Sequence, residues 1–174
     1  MIYFISDTHF FHKGSLSWPN GNARQFQDVA QMNQLIIDNW NGLVKDTDTV
    51  YHLGDFAYKA SMSSIKGLFY ALRGNIILVK GNHDGRTLKA NKQQPRFESV
   101  HDIVELEYNN KLFVLCHYPI ESWKNKGHGS IHLHGHCHGG GTLINNRLDM
   151  SVEAIGYKPI SIDDVIPLVE NGID

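Results

Sequence analysis

Eleven histidines occur in this 174-residue chain, and most lie beside aspartate, asparagine or glycine rather than alone. Five clusters stand out: Asp7-Thr8-His9, Gly54-Asp55, Gly81-Asn82-His83-Asp84, an isolated His117, and Gly135-His136-Cys137-His138. Imidazole is the commonest protein metal ligand and the side chain that carries protons near neutral pH. With carboxylates and an amide beside it, the chemistry on offer is ligation of divalent metal together with acid–base catalysis. Asp7, His9, Asp55, Asn82, His117, His136 and His138 form seven candidate ligands, all oxygen or imidazole nitrogen. Seven exceed the four of a tetrahedral zinc, and sulfur is too sparse for an iron–sulfur cluster. Two divalent ions about 3.5–4 Å apart, sharing one carboxylate, would use them all. Asp55 is the expected bridge, as the acid on a central strand, and Gly54 before it lets the backbone approach closely. This ligand mixture favours Mn²⁺, Fe²⁺ or Zn²⁺ over Ca²⁺ or Cu⁺.

The elements that must position these residues are short. Apolar runs at 2–5, 49–53, 76–79, 112–116 and 131–133 each end in one of the clusters, and such runs read as strands. Val29, Met32, Ile36, Trp40 and Leu43 recur at three or four residues and predict a core-facing helix of about five turns. Ile65, Leu68, Phe69 and Leu72 predict a shorter one, stopped by Arg73 and Gly74. Strand and helix alternate, as in βαβ units with a parallel sheet, where sites form beyond the carboxyl ends of the strands. Strand alternation would turn Asp7 and His9 to one side, and likewise His136 and His138. Residues 100–108 and 111–116 predict a hairpin about Asn109-Asn110. Strands are expected near 131–134, 142–144 and 147–154. Ser161 is expected to cap a final helix that Pro167 keeps short or broken. With no repeat, linker or low-complexity stretch, residues 1–174 are expected to form one α/β domain.

Composition narrows the function classes. Hydrophobic residues make up 41% and charged ones 20%, with a net charge of −2, inside the globular range. There is no apolar run of the length a membrane span requires, and the first residues lack the basic start of a signal peptide. A soluble, cytoplasmic protein is expected. Near-neutral charge speaks against a duplex-gripping surface, and no strong nucleic-acid signature is visible. Cys116 and Cys137 are too few for a disulfide framework and are expected to pack.

In order and spacing, Asp7-x-His9, Gly54-Asp55, Gly81-Asn82-His83-Asp84, His117 and Gly135-His136-x-His138 resemble the five motifs of the calcineurin-like metallophosphoesterases. The fuller strings Ser6-Asp7-Thr8-His9-Phe10, residues 51–56, residues 115–119 and Tyr157-Lys158-Pro159-Ile160-Ser161 resemble a short, uncapped bacterial and phage subgroup. The resemblance implies a four-layer α/β/β/α sandwich. It implies that Asp7, His9, Asp55 and His138 hold one metal, and Asp55, Asn82, His117 and His136 the other. His83 would then face the phosphate as a non-ligand, with Asp84 orienting its ring. The sequence departs from the subgroup at Phe11, where many members carry Gly, and at Ser151-Val152-Glu153, where they carry Gly-Val-Asp.

A dinuclear site makes hydroxide available near neutral pH by lowering the pKa of water from 15.7 to about 7. That hydroxide, bridging the metals, would attack phosphorus in line, and His83 would protonate or stabilise the leaving alkoxide. The expected reaction is metal-dependent hydrolysis of a small phosphodiester or nucleotide in an open site, since a 174-residue chain has no room for a cap. Two alternatives are a DNA or RNA nuclease using the same centre and a non-catalytic metal-binding module. A metallo-β-lactamase type of site would need His-x-His-x-Asp-His, and the run 132–138 lacks that aspartate. Lys13 and Lys158 are candidate phosphate contacts, as is His12. His52 is expected to pack, and His134 could orient a ligand.

Overall fold

The structure is a computed structural model that describes residues 1–19 and 23–170. Nine strands form two sheets. The first has the order β4-β3-β2-β1-β9, from β1 (Ile2–Ile5), β2 (Thr49–His52), β3 (Asn75–Val79), β4 (Phe97–His101) and β9 (Ile160–Ser161). Its first four strands are parallel, and β9 runs antiparallel beside β1. The second has the order β5-β6-β7-β8, from β5 (Ile103–Tyr108), β6 (Lys111–Cys116), β7 (Ile131–His134) and β8 (Arg147–Asp149). Four α-helices complete the mixed α/β fold: α1 (Val29–Leu43), α2 (Met62–Ala71), α3 (Gly85–Gln93) and α4 (Ile162–Glu170). Among the described residues no helix is long and apolar enough to cross a membrane.

Two hydrophobic cores follow from strand alternation. Ile5, Val50, Ile76 and Leu78 turn toward α1 and α2, where Met32, Ile36, Trp40, Ile65, Leu68 and Phe69 are buried against them. Phe4, Tyr51 and Val79 turn the other way and meet Phe113, Leu115, Ile131 and Leu133 of the second sheet. Each fully buried Leu, Ile or Phe contributes about 1.5–3 kcal/mol by leaving water. Helix α4 inserts Ile162 and Val165 into this second core. On the outer side of the second sheet, Trp123 packs on His132 with ring centroids 5.2 Å apart, and the chain there forms a single 3-10 turn at Lys126–His128.

Several sequence expectations hold and several do not. Asp28 caps α1, Ser61 caps α2 and Ser161 caps α4, each accepting a backbone N–H. The turn at Asn109-Asn110 takes positive φ at both residues, which asparagine tolerates. Leu43 departs from the predicted stripe and is exposed. The predicted strand over 100–108 is in fact two. Residues up to His101 pair with β3, the chain turns at Asp102, and only β5 joins the hairpin. Residues 142–144 form no strand beyond one bridge between Ile144 and Arg147, and the expected strand over 147–154 stops at Asp149. Helix α3 was not anticipated. Its sequence is polar almost throughout, burying only Thr87 and Ala90 fully, so it carries no apolar stripe to read.

Candidate metal centre

All seven candidate ligands meet at the carboxyl ends of β1, β2, β3, β6 and β7, drawn from both sheets. They do not converge by strand alternation. β1 ends at Ile5 and β7 at His134, and the ligands beyond them lie on turns. Asp7, His9, Asp55, His136 and His138 all have positive φ, between 45° and 70°. Non-glycine residues seldom adopt this conformation, and it concentrates where a site over-determines the backbone. Phe11 shares it, with φ 68°.

The backbone is fitted closely around the carboxylates. Gly54 has φ +99°, and a Cβ there would lie 2.6 Å from both Gly81 N and His117 Nδ1. A Cβ on Gly81 would collide with Asp55 Oδ1, and one on Gly135 with Ser6 Oγ and Asp7 Oδ2. Asp55 Oδ1 accepts the His83 main-chain N–H at 2.8 Å. Its Oδ2 stands 3.4 Å from His9 Nε2 and 3.7 Å from His117 Nε2, between the two rings. Asp7 Oδ2 accepts from Ser6 Oγ at 2.6 Å and from the His136 N–H at 2.8 Å. Its Oδ1 faces His9 Nε2 at 3.6 Å and His138 Nε2 at 3.7 Å.

Donor chemistry shows what this arrangement fits. His117 Nδ1–H donates to Leu53 O at 2.8 Å, which turns Nε2 toward the centre. Nε2 lies 3.0 Å from Asn82 Oδ1, and Asn82 Oδ1 lies 3.1 Å from His136 Nδ1. Asp7 Oδ1 and both ring nitrogens of His9 are buried without a hydrogen-bond partner. Acceptors turned toward one another repel unless cations lie among them, most strongly on the buried side formed by Asp7, His9, Asp55 and His117; Asn82 and His136 stand on the exposed side. Two groups have ligand atoms within 4.8 Å of one another, Asp7–His9–His138 and Asp7–Asp55–His117. The residues therefore fit divalent metal.

Electrostatics follow the same pattern. Burial alone would raise the Asp7 carboxyl, but the His9, His138 and His117 rings and the Ser6 hydroxyl hold it far below the ordinary range. Burial lowers His9 and His136. Burial would lower His138 too, but the Glu153 carboxylate beside it raises it.

Asp84 does not do what was expected of it. Its carboxylate accepts the N–H groups of Asp55 (2.9 Å), Phe56 (2.9 Å) and Gly81 (2.8 Å). It is fully buried and binds the turn after β2 to the turn after β3, rather than orienting the His83 ring. Burial pushes it up to about 6, against the pull of those amides. The exposed ring of His83 rests edge-on to Tyr58, with centroids 4.8 Å apart and 5.7 Å from His9.

Sequence reasoning missed a buried pair. Arg24, 2% exposed, donates to the carbonyls of Asp7 (2.6 Å) and Thr8 (2.8 Å), and so fixes the first left-handed turn. Its Nε pairs with Glu153 Oε1 at 2.7 Å, and the same oxygen accepts His138 Nδ1–H at 3.0 Å. Such carboxylate contacts fix a ligand's tautomer and orientation. Glu153 carried a signal only through the resemblance, as a departure from the expected Gly-Val-Asp; Arg24 lies in a polar stretch and carried none. Trp18 and Tyr58 were missed as well. With His12 they wall one side of the centre, Tyr58 lying 4.0 Å from His12 and Trp18 4.6 Å from His138. Tyr118 flanks His117 and His136 on the other side. His52 packs as expected, accepting the Gly54 N–H and contacting Thr8 Oγ1. His134 binds Gly135 O. Lys13 is exposed, and Lys158 lines a separate surface cavity with Met1 and Tyr3.

Comparison with known proteins agrees with this geometry. An uncharacterized protein of Methanocaldococcus jannaschii is 37% identical, with 98% of this chain and 92% of that protein covered. The Gene 66 protein of Mycobacterium phage L5 is 25% identical, with 97% and 94% covered. The crystal structure of a protein of unknown function from Aquifex aeolicus superposes with a TM-score of 0.73 at 28% identity, over 97% of this chain and 99% of that one. The family model described as calcineurin-like phosphoesterase matches residues 1–164. The chain therefore belongs to the calcineurin-like phosphoesterases and is a metal-dependent hydrolase.

Proposed function

We propose that this chain hydrolyses phosphodiesters, small diesters or nucleotides, at a centre of two divalent ions, with Mn²⁺ the working metal and Fe²⁺ or Zn²⁺ the alternatives. Asp7, His9, Asp55 and His138 would hold one ion; Asp55, Asn82, His117 and His136 would hold the other. Divalent ions supply Lewis acidity there, lowering the pKa of water and offsetting charge on the phosphoryl oxygens. Asp55 Oδ2 lies 3.4 Å from His9 Nε2 and 3.7 Å from His117 Nε2, which supports the reading that both ions would share it. Leu53 O and Glu153 leave Nε2 as the free nitrogen of His117 and of His138.

His83 is the proton carrier in this reading. Its main-chain N–H is tied to Asp55 while its exposed ring leans on Tyr58 at the rim. A protonated imidazole there can give its proton to the leaving oxygen, an effect of ~10²–10⁴-fold in rate. Asp84 acts one step back, by holding the two turns that carry Asp55 and Asn82.

The observation that carries the proposal is the convergence of ligand atoms: two carboxylates, an amide oxygen and imidazole nitrogens face one another, and Asp7 Oδ1 and both His9 ring nitrogens are buried without a hydrogen-bond partner. The test is hydrolysis of bis(p-nitrophenyl) phosphate with added Mn²⁺, alongside metal analysis of the same sample. The expected result is turnover with about two ions per chain, and loss of both in Asp55→Asn. Saturation at a single ion, or two bound ions without hydrolysis, would refute it.

A further inference from the structure

Charge is distributed very unevenly along this chain. Residues 56–97 contain eight lysines and arginines and one acid, the buried Asp84; the rest contains eight cations and seventeen acids. This basic segment builds α2 and α3. Both helices follow strands that end at the metal centre, so both begin at its rim. Their N-termini add partial positive charge there.

Three of the eight cations are engaged: Arg73 lies near Asp46, Lys80 pairs with Asp102, and Arg96 is spent on the carbonyls of Phe69, Leu72 and Gly74. Lys66, Arg86, Lys89 and Lys92 make no ion pair among the described residues. Arg86, Lys89 and Lys92 recur every three residues along the exposed side of α3. With Met62 of α2 and Gln93 they line a groove of about 480 Å³ between the helices. Along α2, Met62, Lys66 and Tyr70 follow at every fourth residue, and Tyr70 is 81% exposed. At the rim, Lys59 Nζ lies 5.1 Å from the Tyr58 ring, which in turn contacts His83. Lys59 thus stands beside the ring that contacts His83, and Arg86, three residues after His83, opens the row of α3 cations that lines the groove.

We propose that this groove binds the sugar-phosphate backbone of a single-stranded oligonucleotide whose scissile diester occupies the metal centre. The inference rests on the diester reading above and extends it to a polymeric substrate. Unpaired cations beside an exposed aromatic ring are the combination that grips single strands, phosphates by charge and bases by stacking. The groove is concave, which suits a strand. An anionic membrane would instead need a convex face with apolar side chains to insert, and the exposed side of α3 offers Arg86, Lys89, Lys92 and Gln93.

The test is fluorescence anisotropy of a labelled, phosphorothioate-linked oligodeoxythymidylate 12-mer with Mn²⁺-loaded protein, from 50 to 200 mM salt. Four phosphate contacts at a slope of about −0.7 each predict binding about fifty-fold weaker at the upper end. The triple variant K66E/K89E/K92E should weaken binding by at least about tenfold and flatten the slope by about 2. Its hydrolysis of bis(p-nitrophenyl) phosphate should match wild type. Binding by wild type without salt dependence, or unchanged binding by the variant, would overturn the proposal. So would capture by phosphatidylserine vesicles without oligonucleotide binding. If wild type fails to hydrolyse the small diester, the proposed function falls, while the anisotropy measurement still decides the groove.

Discussion

Replacing Asp84 with alanine separates two roles that a carboxylate beside a catalytic histidine can play. In wild type its oxygens accept three backbone N–H groups, from Asp55, Phe56 and Gly81, in fully buried surroundings. Each donor left without an acceptor costs about 1–3 kcal/mol, or about 6 kcal/mol for three in mid-range. Removing the buried charge returns part of this. Burial raises the carboxyl from 3.8 to about 6. A shift of that size disfavours the ionised form by about 3 kcal/mol at neutral pH. The net loss is then about 3 kcal/mol, which for a chain of this length lowers Tm by about 6–12 °C. Thermal melts with EDTA and with Mn²⁺, paired with turnover of an activated diester, would read it. Asp84→Ala should melt early under both conditions and bind metal weakly, because the turns bearing Asp55 and Asn82 are released. An unchanged Tm with a fall in turnover alone would refute this reasoning and restore Asp84 as the partner of the His83 ring.

Three further outcomes follow from the same geometry. His83→Ala should keep both metals by elemental analysis and lose about 10²–10⁴-fold in turnover; metal loss in step with activity would make His83 a ligand. Glu153→Gln weakens the carboxylate contact to His138 and Arg24, and a metal titration should show affinity reduced about 10–100-fold, whereas an unchanged isotherm would leave the pair a purely structural contact. Acid should destabilise the fold through His52 and His132, whose rings burial holds down to about 3 and about 4. Both regain 6.5 on unfolding, so the unfolded chain binds the extra protons. Stability is full above that value, and each ring removes about 2 kcal/mol between pH 7 and pH 5, levelling off below the folded-state value. Urea unfolding across that range checks it, and a flat profile would contradict it.

Much of this was legible in the sequence because β-strands here are short apolar runs that end abruptly in the residues they deliver. Asp7, Asp55, Asn82, His117 and His136 can each be placed at a strand end from the sequence alone. Helix α3 could not, since its face toward the first core is only Thr87, Ala90 and the half-buried Leu88 in an otherwise polar run. The mode of convergence was also hidden. Alternation places side chains only while the backbone is extended, and Asp7, His9, His136 and His138 turn inward through left-handed φ instead. Arg24 and Glu153 are 129 residues apart and meet only when the sheets close. Asp84 was visible as a carboxylate, but its three amide partners come from turns whose contact no local pattern reports.

Asp7, His9, Asp55 and Asn82 hang from the first sheet, and His117, His136 and His138 from the second. Cations held by that set would act as rivets through two plates that are otherwise joined by a shared apolar core and a few hydrogen bonds at this end, among them Ser6 N–H to Met150 O and His117 to Leu53 O. At a free concentration a thousandfold above Kd, one such rivet would be worth about 4 kcal/mol to the folded state. The cell's supply of that metal would thereby set how long the chain survives as well as how fast it works. In starvation the plates would loosen, and proteolysis would clear the idle enzyme.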